Sequence, residues 1–217
     1  MHDISRNVMA RDKVFYDGHA VAAVAATSEA IARKALKLID VEYEVLPHVM
    51  DPKEAADPDA PILHDYQRTL NGDPENPSNL FRTITGERGD IDKGFAEADA
   101  IVEREFSSQP VHQGYIEPLA CIASTSEDGA VELWTTTQGH FVIRMLCAKL
   151  LKMDIVQIRV TASEIGGGFG GKNTIYGEPV AILMSQMTGR PVRMVMTRSE
   201  VFRASGPTVG SRTKIRV

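Results

Sequence analysis

The densest chemical signal in the sequence is residues 164–173, Glu-Ile-Gly-Gly-Gly-Phe-Gly-Gly-Lys-Asn. Five of the six residues from Gly166 to Gly171 are glycine. Such a run costs backbone entropy, so it is expected where a chain must press against a ligand, offer N–H groups or take a positive φ. Three uses fit the spacing. Gly166, Gly168 and Gly171 satisfy the G-x-G-x-x-G dinucleotide pattern after a predicted strand. That pattern wants an acidic ribose partner about twenty residues on, and residues 189–193 there read Gly-Arg-Pro-Val-Arg. Gly166, Gly171 and Lys172 also come one residue short of a phosphate loop, because Asn173 stands where Ser or Thr would hold Mg²⁺. A merely flexible turn would need neither Phe169 within it nor an apolar strand leading into it. A loop that faces a ligand is therefore expected, with nucleotide binding through residues 166–172 as the alternative.

Other reactive side chains are less directive. His2, His19, His48, His64, His112 and His140 show neither H-x-x-x-H nor H-E-x-x-H spacing, so no protein-ligated metal is expected. His112 and His140 are expected to be structural. Cys121 and Cys147 lie 26 residues apart with no C-x-x-C, which fits two buried core thiols in a reducing, cytoplasmic compartment. Glu117 can hold a turn or a backbone N–H. Residues 87–90, Glu-Arg-Gly-Asp, read as a solvated loop.

The scaffold follows from pattern and composition. The chain has 217 residues, 24 Lys and Arg against 29 Asp and Glu, a net charge of −5 and an apolar fraction of 43%. These values, with a mean hydropathy of −0.16, exclude disorder, collagen and a disulfide miniprotein. No apolar run approaches the roughly 18–20 residues of a membrane span, and residues 2–12 are too polar for a secretory leader. Mild acidity argues against nucleic-acid binding. Residues 21–27 form a small-apolar run, as for a strand covered on both faces. Ser28 or Thr27 can cap a helix from Glu29, and residues 41–45 alternate like a strand. Prolines at 52, 58, 61, 74 and 77 mark a surface excursion, with a short helix over residues 52–56. Beyond it the pattern predicts a helix over 91–98, a strand over 100–107 and a hairpin of 120–126 with 131–137. It then predicts a helix over 141–151, a strand over 156–161, a helix over 178–187, a strand over 192–197 and a helix over 198–203. Residues 212–217 alternate as a strand whose partner is not legible, as in an internal piece of something longer.

Residues 166–172, Gly-Gly-Gly-Phe-Gly-Gly-Lys, resemble the signature of the molybdenum hydroxylases, the xanthine dehydrogenase and aldehyde oxidase family. In that family the loop carries a phenylalanine facing the molybdenum site. Further segments agree in order. Residues 7–14, 18–24, 41–47 and 51–55 resemble the family's first domain, an α/β hammerhead. Residues 112–118, His-Gln-Gly-Tyr-Ile-Glu-Pro, resemble its entry to the cofactor-binding domain. Residues 134–138, Trp-Thr-Thr-Thr-Gln, and 188–193 resemble two later segments. Gln138 and Phe169 lie 31 residues apart, the family's separation between its cofactor-facing glutamine and phenylalanine.

The resemblance implies an α+β chain: a partial α/β hammerhead over 1–66, a linker over 67–79 and the N-terminal part of a molybdopterin-binding domain over 80–217. It implies a molybdenum–molybdopterin cofactor, simple or dinucleotide, contacted by Gln138, Gly167, Gly168, Phe169 and Gly170. Phe169 and Asn173 would meet substrate. The implied reaction is hydroxylation of an aldehyde or an N-heteroaromatic or aromatic substrate, with water as oxygen source. Asn173 replaces the glutamate of purine-oxidising members, which puts xanthine in doubt. Leu119 replaces a commonly polar residue. The family's catalytic glutamate sits in a Gly-x-Gly-Glu motif that these residues lack, so no catalytic residue is assigned and the chain is expected to be inactive alone. Expected partners are the remainder of the molybdenum subunit, an iron–sulfur subunit with 2Fe-2S clusters, an FAD subunit and a small-molecule substrate. A non-catalytic remnant of the family is a further alternative.

Overall fold

Alternation decides the central sheet. In the strand Val131–Thr135, Val131, Leu133 and Thr135 are buried while Glu132 and Trp134 point outward, the period-two pattern of a sheet with one covered face. The computed structural model describes residues 2–206 and 208–217. In chain order its elements are α1 (His2–Val8), α2 (Glu29–Leu36), α3 (Pro52–Ala55), α4 (Ile91–Ala96), β1 (Glu103–Ser108), β2 (Ala120–Thr125) and β3 (Val131–Thr135). There follow α5 (His140–Leu151), a 3-10 turn (Ile155–Gln157), β4 (Ile158–Ala162), α6 (Glu178–Thr188), β5 (Val192–Val195), α7 (Arg198–Ala204) and β6 (Ser211–Arg216). No helix among the described residues is long and apolar enough to cross a membrane.

The chain divides into two units. The first takes in residues 1–41 and 112–208. Its sheet runs in the order β4-β3-β2-β5, with β2 antiparallel to both β3 and β5, and β3 parallel to β4. The parallel step needs a crossover, and α5 supplies it. Ile143, Leu146, Cys147 and Ala148 of α5, with Ala181 and Ile182 of α6, cover Cys121, Ala123, Val131, Leu133 and Ile158 of the sheet. Leu119 is buried in a smaller cluster with Tyr115 and Val201, which accounts for an apolar residue at that position. Gly189 closes α6 at φ +61, a backbone conformation that favours glycine. A capping box of Thr197 with Glu200 starts α7.

The second unit takes in residues 42–111 and 209–217. β1 and β6 pair antiparallel, Glu103 opposite Arg216 and Ser108 opposite Ser211. The strand expected near the end of the sequence thus has a partner, about a hundred residues back, which no local pattern could reveal. Asn79 ties this unit together by donating to the carbonyls of Ala55 and Pro61.

Two strand expectations fail. Residues 21–27 belong to no sheet, and only 21–24 are even half-buried. Residues 41–45 are exposed and likewise unpaired. An extended segment becomes a strand only when a neighbour completes its hydrogen-bond ladder, and none does so among the described residues. A cleft of about 600 Å³ lies between residues 18–33 and the β5 edge, and neither Gln138 nor residues 166–173 line it. The first two residues of the strand expected over 156–161 belong instead to the 3-10 turn Ile155–Gln157, capped by Asp154. α1 was not anticipated, because its residues are polar and mixed in charge.

Candidate functional site

Because β3 and β4 are parallel, with Thr135 opposite Ala162, their carboxyl ends open side by side. Ligand crevices form at such ends. The chain leaving β3 runs through Thr136, Thr137 and Gln138 into α5. The chain leaving β4 makes the glycine loop before α6.

Gln138 joins the two exits. Its backbone N–H donates to the Lys172 carbonyl at 3.0 Å. Its side-chain Oε1 accepts from the N–H of Gly170 at 3.1 Å and of Lys172 at 3.2 Å. Only the carboxamide oxygen can accept, so these two bonds assign the amide: oxygen inward, NH₂ outward. Thr137 Oγ1 donates to the same Lys172 carbonyl at 3.0 Å. The fit is close. A Cβ on Gly168 would stand 2.5 Å from Gln138 Oε1, so the glycine there answers packing within the chain. Gly170 has φ +86, and Phe169 takes φ +49 although it is not glycine. The Phe169 ring is 74% exposed. An apolar ring held open to solvent on a disfavoured backbone points to a functional constraint.

The structure thus brings Gln138, Gly167, Gly168, Phe169 and Gly170 together, and leaves Asn173 exposed at the loop's end. Gly170 differs from expectation in one respect: its N–H is spent on Gln138. Among the described residues no protein acceptor meets the N–H of Gly167, Gly168 or Phe169.

Lys172 settles the phosphate-loop alternative. That loop needs its lysine free to reach a phosphate. Here the Lys172 side chain is wholly buried and its Nζ lies 2.6 Å from Glu117 Oε2, so this lysine does not serve residues 166–172 as a phosphate loop. Sequence reasoning missed this inward turn, since a lysine after a glycine run gives no sign of burial. It also missed the polar chain beneath: Tyr115 OH and Ser205 Oγ lie 2.9 Å apart, and His112 Nε2 meets Ser205 Oγ at 3.0 Å and the Val201 carbonyl at 3.1 Å. His112 Nδ1 accepts from Gly114 N–H at 2.9 Å, which fixes the proton on Nε2 and gives His112 the structural role expected of it. Arg198 donates to the carbonyls of Tyr115 and Ile116, holding that segment against α7. Cys121 and Cys147 are buried and unpaired, and desolvation pushes both thiols up, so neither is a reactive thiolate.

Comparison with known proteins places this geometry. Residues 73–217 match the molybdopterin cofactor-binding domain family, and residues 1–47 match the a/b hammerhead domain of aldehyde oxidase and xanthine dehydrogenase. A probable hypoxanthine oxidase of Escherichia coli strain K12 is 37% identical over 89% of this chain and 23% of its own length. The carbon monoxide dehydrogenase large chain of Afipia carboxidovorans is 34% identical over 89% of this chain and 25% of its own. Among solved structures, CO dehydrogenase from Oligotropha carboxidovorans superimposes with a TM-score of 0.75 at 32% identity, covering 89% of this chain and 25% of that one. The aldehyde oxidoreductase of Desulfovibrio gigas gives a TM-score of 0.75 at 25% identity, covering 88% and 20%. The chain thus spans about a quarter of the length of the relatives it matches. It belongs to the xanthine dehydrogenase and aldehyde oxidase family of molybdenum hydroxylases, and its glycine loop lies within that family's molybdopterin cofactor-binding domain.

Proposed function

We propose that the chain forms one wall of the molybdenum–molybdopterin site of a hydroxylase-type oxidoreductase. The observation that carries this is the Gln138 carboxamide. Its oxygen is committed to the loop, so its NH₂ is left as a neutral outward donor beside the exposed Phe169 ring. The unpartnered N–H groups of Gly167, Gly168 and Phe169 extend the donor set, and the loop's one cation is turned inward onto Glu117. Neutral donors of this kind fit a cofactor rich in oxygen acceptors. When bound, that group supplies the oxidation, with water as the oxygen source. The chain's residues bind and orient. Gln138 and the free N–H groups hold the cofactor. The Phe169 ring keeps water from one side and offers an apolar face to a flat substrate.

Asn173 can donate to or accept from substrate but carries no charge to stabilise a cationic ring. That favours an aldehyde or a neutral N-heteroaromatic substrate. The proton-accepting base comes from another segment of the subunit, so the chain alone is inactive. The division into hammerhead (1–66), linker (67–79) and cofactor domain (80–217) belongs to the same proposal. So do an iron–sulfur partner, an FAD partner and residence in the cytoplasm, the last supported by two unpaired buried thiols.

Molybdenum is measured by elemental analysis in the complex this chain forms with its native partners. Near-stoichiometric metal, followed by turnover in a screen of aldehydes and N-heteroaromatics, is the expected result. A complex assembled with cofactor at hand that holds no molybdenum overturns the proposal. Turnover by the isolated chain with added cofactor overturns its dependence on an external base.

A further inference from the structure

We propose that Glu117 and Lys172 are positioning residues whose ion pair closes both ends of the glycine loop and so sets the aim of Phe169 and its neighbouring N–H groups. The inference rests on the cofactor-wall function proposed above. One carboxylate oxygen does two jobs: Glu117 Oε2 accepts from the Gly166 N–H at 2.9 Å and from Lys172 Nζ at 2.6 Å. Gly166 and Lys172 are the first and last residues of the loop. Glu117 N–H also donates to the Gly166 carbonyl at 3.2 Å, so the loop's first residue is held at two points. No spacer fits between them, since a Cβ on Gly166 would stand 2.7 Å from Glu117 Cβ.

From the other exit, Gln138 Oε1 holds Gly170 and Lys172. The arch is therefore pinned at its base from two sides, with Phe169 at its tip. A left-handed phenylalanine persists only where surrounding contacts over-determine it, and these pins are the contacts that do so. Among the described residues Lys172 has no substitute partner: its ammonium is fully buried, and beyond Glu117 it meets the Tyr115 ring, 4.9 Å from the centroid. A buried charge left without its counter-ion cannot hold its place.

Amide-resolved hydrogen exchange on the full chain without cofactor tests the clamp. The variants are Glu117→Gln and Lys172→Met; the second removes the buried charge itself and keeps the test open if the first fails to fold. In Lys172→Met the amides of residues 166–172 are expected to exchange about tenfold faster or more, while those of β3 and α5 keep their protection. Loop exchange at the original rate, or a rise shared equally by β3 and α5, overturns the clamp. The same substitutions are then made in the complete, cofactor-loaded enzyme. There kcat is expected to fall about tenfold or more at unchanged molybdenum content, with an altered paramagnetic resonance signal of the metal. A loosened loop with unchanged kcat and signal overturns the positioning role. Absence of molybdenum from the unsubstituted complex overturns the cofactor-wall function instead, and the exchange experiment still decides the clamp by itself.

Discussion

Phe169 is the residue at which stability and the proposed function make opposite demands. Its left-handed backbone costs about 1–2 kcal/mol relative to an ordinary conformation, and its ring is 74% exposed, so little burial repays that cost. Glycine relieves the strain and gives back about 0.5–1 kcal/mol through the greater freedom of the unfolded chain. Phe169→Gly should therefore leave the chain as stable or about 0.5 kcal/mol more stable in urea unfolding, while cutting turnover of the complete enzyme by about tenfold or more. A clear loss of stability would show that the ring is a packing residue. The resemblance to the family singled out Gln138 and Phe169, and the structure sets both at the glycine loop. The sequence could not disclose why the glycines are there. Gly168 yields to the Gln138 side chain and Gly166 to Glu117, and these are contacts between segments tens of residues apart.

Elements that carry their own punctuation were legible. Ser28 accepts from Ile31 N–H and begins α2, Thr197 and Glu200 begin α7, and Asp128 and Gly129 turn β2 into β3. What depends on a distant partner was not: residues 21–27 and 41–45 have strand composition and no ladder, while β6 finds its partner in β1. Glu178 shows how elements are joined around the site. It is buried at the first turn of α6, where a carboxylate also meets the positive end of the helix. Its Oε1 accepts from Thr135 Oγ1 at 2.8 Å, at the end of β3, and its Oε2 from Tyr176 N–H at 2.7 Å, in the segment leading out of the glycine loop. Tyr176 N–H can only donate, whereas the Thr135 hydroxyl can also accept, so an amide could still serve both and a decisive variant must remove both acceptor oxygens. Glu178→Ala should cost about 1–3 kcal/mol in chemical denaturation, and Tyr176 N–H should lose protection from exchange. Wild-type stability would show that the two bonds are dispensable to the junction of β3 and α6.

At the scale of the molecule, the two units should part company in acid. In the first, His19 is buried, accepts from Phe15 N–H at Nδ1 and donates from Nε2 to the Arg6 carbonyl at 2.7 Å. Protonation would set a second N–H against that of Phe15, and burial holds the pKa below the usual 6.5, although the bond to Arg6 opposes the shift. In the second, the carboxylates of Asp51 and Glu103 are held below their ordinary values of 3.8 and 4.5 by hydrogen bonds from Arg212 and Lys214. All three groups bind protons more readily when unfolded, so stability rises with pH across each window. The contribution of His19 is whole above 6.5 and is lost as pH falls from there towards its lowered folded value. The contributions of Asp51 and Glu103 are whole above 3.8 and 4.5 and are lost only below them. Trp134, the single tryptophan, lies in β3 and reports on the first unit alone. Its thermal midpoint by fluorescence should fall between about pH 7 and about pH 5, while exchange protection at β1 and β6 holds until more acid conditions. His19→Gln removes the titrating group and should flatten the first slope. A slope that survives that substitution would assign the loss to another group. A β1–β6 pairing that opens in the same window as Trp134 would mean that the two units unfold as one.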